Sequence, residues 1–329
     1  MTWREPLPNS LSRPCSANQL MTAKPQRQSA AKPLTRPTSG GTAPAHSGTV
    51  VPIGSGKTPM SPTVIAITSG KGGVGKSNIA VGLAIALGRR GARVLCVDAD
   101  LGLANMDILF GVAPTQTTAD LVSGDADIDD VIVEAADNVW LLPGASGQAD
   151  LADLSDQKRR AFFTAIDSVD DRFDVVVVDT GAGVGSNSVG FAAAAKDIVV
   201  VVTGEPTSVA DAYGMIKVLC TRCGVRRLHV LVNMVNNHHE GEAVFRRLDN
   251  LTSRFLDVRL EFLGVLPRDQ GVARAVMRGE PFLRSHPDAP ASKALLRIAD
   301  GLADSSDPDD RQGAIRLFWR KLLRQGGAQ

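Results

Sequence analysis

The chain changes character at residue 63. From there, short and nearly uniform apolar runs at 63–68, 93–97, 138–142, 173–178, 198–202, 226–232 and 260–266 alternate with longer stretches whose apolar residues recur three and four positions apart, the first opening at Lys76. Runs of this length without strict apolar–polar alternation are the pattern of parallel strands covered on both faces, and the intervening period is helical. The pattern predicts an α/β domain over 63–302, a doubly wound, mostly parallel sheet with helices on both sides. Upstream, residues 1–62 are rich in Pro, Ser, Thr and Ala, with Arg4, Arg13, Lys24, Arg27, Lys32, Arg36 and Lys57 against the single acid Glu5. So little apolar surface does not offset the entropy of ordering, and this segment is expected to be a disordered, mildly basic tail. Downstream, a polar run beginning at Ala303 and Asp304 predicts a linker over 303–311, and a last helical pattern occupies 312–325. No internal repeat of solenoid period interrupts this order.

Composition narrows the classes. The chain has 329 residues, 43% of them hydrophobic, enough for a large buried core, which excludes disorder of the whole molecule. Its 36 Lys and Arg against 35 Asp and Glu leave a formal charge of +1, so no global field recruits nucleic acid, and no direct nucleic-acid contact is expected. Cys15, Cys96, Cys220 and Cys223 are too few and too irregularly spaced for a disulfide-stapled fold, and a reducing cytoplasm is the expected compartment. The longest apolar runs fall far short of the roughly 20 residues that cross a bilayer. No apolar stretch follows Arg4 and Glu5, so a secretory signal is not expected.

Chemistry concentrates after the first strand. Gly70-Lys71-Gly72-Gly73-Val74-Gly75-Lys76-Ser77 satisfies G-x-x-x-x-G-K-[ST] between a predicted strand and a predicted helix. Such a loop turns successive backbone N–H groups onto phosphates; the helix N-terminus adds positive potential, Lys76 a point charge, and Ser77 a hydroxyl for Mg²⁺. Gly70, Gly72 and Gly75 also spell G-x-G-x-x-G, with Asp98 closing the next strand as a dinucleotide site would want. The Lys76-Ser77 pair decides for a triphosphate with its metal. A decoy of this loop in the tail, Gly54-Ser55-Gly56-Lys57-Thr58, follows no strand, and Pro59 blocks a helix after it.

Three acids stand at predicted strand ends beside this loop: Asp98 and Asp100 after 93–97, and Asp179 after 173–178, where Thr180-Gly181-Ala182-Gly183 follows. Phosphoryl hydrolysis needs a metal partner and a group that orients water. Asp179 is the natural acid near Mg²⁺ or its waters. Asp98 and Asp100 compete for metal-side and water-positioning roles, against the plain alternative that such acids only cap loops.

These residues carry a resemblance. Lys71 placed before Gly-Val-Gly-Lys-Ser, and Asp98-Ala99-Asp100-Leu101-Gly102-Leu103-Ala104-Asn105-Met106-Asp107, are similar to the deviant phosphate loop and second motif of the MinD/ParA branch of P-loop ATPases. The likeness extends over nearly all of 63–302. Within the branch, the segments 138–147, 205–213, 232–237 and 263–269 most resemble the FlhG group, MinD-like ATPases of flagellar number control. The resemblance implies ATP and Mg²⁺ as cofactors and an ATP-bound homodimer in which Lys71 reaches the partner's phosphates. It further implies that Lys76 and Ser77 act in their own subunit, that Asp100 holds the attacking water, and that Asn233 and the loop from Pro267 face adenine. It also implies partners of the FlhF GTPase and flagellar C-ring type. A short charged motif that often opens that group has no counterpart here; Ser16-Ala17-Asn18-Gln19-Leu20-Met21 lacks its charges.

In the last segment Ile315, Phe318, Trp319, Leu322 and Leu323 share one helix face, with Arg316, Arg320 and Arg324 in the adjacent row. This basic amphipathic helix suits shallow insertion into the anionic inner leaflet, placing the protein peripherally at the inner face of the membrane. Docking on the domain's own surface is the alternative, and exchange between the two with nucleotide state satisfies both. The other chemistry-like groups read as ordinary: Cys220-Thr221-Arg222-Cys223 is a lone pair, and His238-His239-Glu240 a solvated helix start. The competing functions are a cell-division or chromosome-partition ATPase, an iron–sulfur carrier, and a regulatory ATP-binding partner of a transcription factor.

Overall fold

The computed structural model describes residues 62–100, 103–144, 164–166 and 168–304. The expected tail over 1–61, the remainder of the linker at 305–311 and the amphipathic helix with Ile315, Arg316, Phe318, Trp319, Arg320, Leu322, Leu323 and Arg324 lie outside the described residues, as do Leu101, Gly102 and residues 145–163.

Eight strands form one sheet: β1 Thr63–Thr68, β2 Val94–Ala99, β3 Val133–Ala136, β4 Val139–Leu142, β5 Val175–Thr180, β6 Asp197–Thr203, β7 Arg227–Val235 and β8 Arg259–Pro267, in the order β3-β4-β2-β5-β1-β6-β7-β8. Every pairing is parallel except β3 with β4. The doubly wound α/β expectation is met. The antiparallel edge strand β3 was not expected: Val-Glu-Ala-Ala is short and weakly β-prone, and it is held by a tight turn in which Asn138 takes φ +59°.

Helices described after the strands are α1 Lys76–Arg89, α2 Met106–Phe110, α3 Thr118–Ser123, α4 Ile128–Val131, α5 Ser186–Ala194, α6 Pro206–Cys223, α7 His238–Phe255, α8 Gln270–Met277, α9 Phe282–Ser285 and α10 Pro290–Asp304. The last runs two residues, 303 and 304, into the stretch expected as linker. Because successive strand residues point to opposite faces, β1 feeds two cores. Val64 and Ala66 join the layer under α5, α6 and α7, whereas Ile65 and Ile67 join the layer under α1 and α10. All six residues of β1 are buried, which is why its sequence shows no alternation. A register shift between Phe262 and Gly264, the latter at φ +140°, breaks the regularity of the edge strand β8. The carboxyl ends of β1, β2, β5, β6, β7 and β8 share one rim of the sheet.

Candidate nucleotide site

β1 delivers the chain to the rim at Thr68, and α1 leaves it at Lys76. The connecting loop can close this tightly because of its glycines. A Cβ on Gly70 would sit 2.0 Å from the Asp211 carbonyl oxygen of α6, and Gly75 takes φ +91° as the residue capping α1. The loop is braced from three sides. Ser69 Oγ donates to the Lys71 carbonyl at 2.7 Å, the Gly183 amide donates to the Ser69 carbonyl at 3.0 Å, and Asn233 Nδ2 donates to the Val74 carbonyl at 2.8 Å. Gly72 and Gly73 form the exposed crest. No side chain caps the start of α1 and no acid stands in its first turn, so its leading N–H groups and dipole are directed at the loop's opening, the arrangement that receives an anion.

The charges behind the loop are buried. Lys76 is 8% exposed; desolvation lowers its pKa, while the Asp179 and Asp100 carboxylates oppose that shift. Strand register sets Asp98 beside Asp179 on β2 and β5. Burial pushes the Asp179 carboxyl up to about 7 against a hydrogen bond from the Ser77 side chain, and pushes Asp98 up to about 6 against three backbone amides. Their environments differ. Asp98, 4% exposed, accepts from the Asp100 amide at 3.2 Å on one oxygen and from the Asn105 and Met106 amides at 2.9 and 3.0 Å on the other. It therefore pins the loop that carries Asp100 and opens α2. Asp179, 1% exposed, keeps Oδ1 buried without a hydrogen-bond partner. An orphaned carboxylate oxygen next to a serine hydroxyl and a desolvated lysine is unfavourable as it stands, and it fits a divalent ion that brings phosphate and water oxygens. Among the described residues no three acids, cysteines or histidines converge as an all-protein metal cage.

Asp100 reaches the same space from β2: a Cβ on Gly181 would lie 3.4 Å from its Oδ1, and the Leu103 amide donates to that oxygen at 3.3 Å. Asn233 and Pro267 meet at the ends of β7 and β8, where register pairs Asn233 with Leu266 and Val235 with Pro267. The Asn233 carboxamide is doubly engaged, since Oδ1 also accepts the Met234 amide at 2.8 Å. The structure thus brings Gly70 to Ser77, Asp98, Asp100, Asp179, Asn233 and Pro267 to one rim.

A protein family described as the CobQ/CobB/MinD/ParA nucleotide binding domain matches residues 65–282. The chain belongs to this MinD/ParA family. Among its relatives, the antiactivator FleN of Pseudomonas aeruginosa is 40% identical over 261 residues, covering 79% of this chain and 93% of FleN. The flagellum site-determining protein YlxH of Helicobacter pylori is 33% identical over 267 residues, covering 80% and 90% of the two chains. Among solved structures, the septum site-determining protein MinD of Pyrococcus horikoshii, complexed with Mg-ADP, superposes with a TM-score of 0.59 at 25% identity, covering 73% of this chain and 96% of that one.

Within this MinD/ParA rim the sequence pattern missed two residues. Lys71 Nζ pairs with Glu205 Oε2 at 2.8 Å and donates to Thr207 Oγ1 at 3.3 Å, both at the start of α6 of its own chain. The Lys71 charge in turn holds the Glu205 carboxyl below its ordinary value. Both partners lie in the 205–213 segment that carries the resemblance, but nothing in its spacing points to Lys71; the helix entry after β6 places them there. Ser208 likewise caps the end of β6, its Oγ accepting the Thr203 amide at 3.0 Å. The Cys220 and Cys223 pair sits at the opposite end of α6, with Cys220 turned inward against the Asp257 carbonyl and the Arg226 guanidinium, both at 3.5 Å. That environment does not suit a shared iron–sulfur cluster. His238 pairs with Glu242 within α7, as a solvated helix start does.

Proposed function

We propose that the chain is a Mg²⁺-dependent ATPase that dimerises on ATP, associates with the inner face of the cell membrane through residues 312–325, and resets by hydrolysis, controlling flagellar number or placement. The observation that carries the nucleotide chemistry is the unpartnered Asp179 oxygen beside Ser77 and buried Lys76, behind a glycine-rich loop that leads into the uncapped start of α1. Ser77 and Asp179 are the residues to hold Mg²⁺, which when bound neutralises phosphate charge and orients the β- and γ-phosphoryl oxygens. The chain's own groups do the rest. The loop amides and Lys76 bind the phosphates and stabilise charge that develops on them. Asp100, held by the Asp98 clasp, orients water in the same space. Lys71 supplies a charge across the dimer seam, and Asn233 with the Pro267 loop borders the base.

The flagellar role is supported by the name of one relative, a flagellum site-determining protein, and a regulatory role by that of another, an antiactivator. FlhF-type GTPases, C-ring proteins and anionic lipids are the partners this role calls for. Light scattering with Mg²⁺ and a non-hydrolysable ATP analogue tests the switch. The mass is expected to double for the intact chain and to stay at one protomer for Lys71→Ala; a protomer mass for both sinks it. Pelleting with anionic vesicles tests the membrane step, since a chain ending at residue 311 is expected to remain in solution. Flagellar counts in a deletion strain test the biological assignment.

A further inference from the structure

The apolar stripe of α7 outruns the core it serves. Val244, Leu248, Leu251 and Phe255 fall at i, i+4, i+7 and i+11, one face of the helix. Val244 and Leu248 are buried against β7 and β8, but Leu251 is 39% and Phe255 64% exposed at the end where the sheet stops. Arg247 and Arg254 line the neighbouring row. Neither forms an ion pair among the described residues, and the Arg254 guanidinium carbon stands 5.5 Å from the Phe255 ring centroid. Arg222 ends the adjacent α6 at the same edge of the sheet. Exposed aromatic and aliphatic groups flanked by unpaired cations at a helix terminus form a coherent surface, not scattered exposure.

We propose that this end of α7 is a second contact with an anionic lipid leaflet, resting on the membrane association proposed above. Charge complementarity excludes the chain's own candidates: the 312–325 segment and the tail are both basic, and a second copy would set arginine against arginine. Placement selects the membrane. Leu295 of α10 lies over Gly82 of α1, and Asp300 pairs with Arg90 at the end of α1, so α10 runs alongside α1 to the amino-terminal edge of the sheet. The α7 helix reaches that edge from the other face, just ahead of β8. The chain that continues from Asp304 to the basic amphipathic segment therefore leaves from the edge that presents Phe255. A protomer tethered by that segment holds this edge toward the leaflet, where Leu251 and Phe255 enter the headgroup layer and Arg247 and Arg254 pair with lipid phosphates.

The test is co-sedimentation of the full chain, with Mg²⁺ and a non-hydrolysable ATP analogue, on phosphatidylglycerol-containing vesicles, on phosphatidylcholine vesicles, and with duplex DNA. Arg247→Ser and Arg254→Ser are each expected to lower partition onto the anionic vesicles about fivefold. Phe255→Ser should lower it by roughly the same factor, while urea midpoints and ATP turnover stay at the intact value. Loss of binding in these variants, with none on neutral vesicles, supports the surface. Variants that pellet like the intact chain, while removal of 312–329 releases it, overturn this surface and leave the membrane tether standing. If removal of 312–329 changes nothing but the arginine variants lose binding, the tether falls and this surface remains. An intact chain that stays in solution overturns both, and arginine-dependent binding to DNA alone overturns the lipid assignment in favour of nucleic acid.

Discussion

The two ends of the same sheet handle charge in opposite ways. At the carboxyl rim the charged groups are inside: Lys76, Asp98 and Asp179 are nearly sealed from water, and two of the three are strongly shifted by burial. At the amino-terminal edge they are largely outside, apart from His229 beside Asp197 and Glu261. Some are paired between elements, as in Arg93 with Asp174 at 2.9 Å, Arg227 with Glu261 at 2.8 Å, and Arg172 with Asp129, whereas Arg247 and Arg254 form no ion pair among the described residues. Helix direction explains part of the contrast. The helices that follow β1, β5, β6 and β7 start at the rim, which gathers positive dipole ends, and finish at the other edge, where Arg89, Arg222 and Arg254 meet negative ends. The rim is an electrostatic site built at a cost in desolvation, whereas the opposite edge is solvated and inexpensive. The first serves chemistry, the second solubility and contact.

Substitutions at the two ends should separate accordingly. The largest effect is expected for Asp100→Ala, which should reduce ATP turnover by about a hundredfold to a thousandfold while nucleotide still binds; steady-state hydrolysis alongside fluorescent-nucleotide titration checks this, and turnover near the intact rate would remove Asp100 from the chemistry. Next, Gly70→Ala should destabilise the chain by about 3 kcal/mol or displace the loop, because the added methyl has backbone in its way, and urea unfolding would register the loss. Asp98→Ala should cost about 2 kcal/mol by abandoning three amides. Its distinguishing mark is faster hydrogen exchange at Asn105 and Met106; unchanged exchange there would mean the clasp is idle. At the far edge, Arg93→Ala should cost at most about 1 kcal/mol, and less in high salt. A loss there as large as that of Asp98→Ala would erase the contrast between the two ends.

Much of the rim was legible beforehand because its residues sit at fixed offsets from strand ends. The run Gly70 to Ser77 needs only the strand before it and the helix after it, and Asp98, Asp100 and Asp179 each close an apolar run. What they do there was less legible. Asp98, expected in a metal-side or water-positioning role, also accepts backbone amides on both oxygens; Asn233, expected toward the base, also braces Val74. Capping and bracing depend on how a loop returns, which periodicity does not record. The edge strand β3 escaped for a similar reason, since its pairing is set by a turn rather than by its own β propensity.

By itself the sequence determined the α/β class, seven of the eight described strand positions to within a few residues and the phosphate loop, since apolar period and local spacing are properties of neighbouring residues. Tertiary structure alone decided the strand order, which places β5 between β1 and β2 so that Asp179 meets Asp98, and it decided the pairing of Lys71 with Glu205, 134 residues away. It also decided where the core ends along α7. Long-range contacts follow from which faces must be buried together, and a one-dimensional pattern states that each face is apolar without naming what covers it.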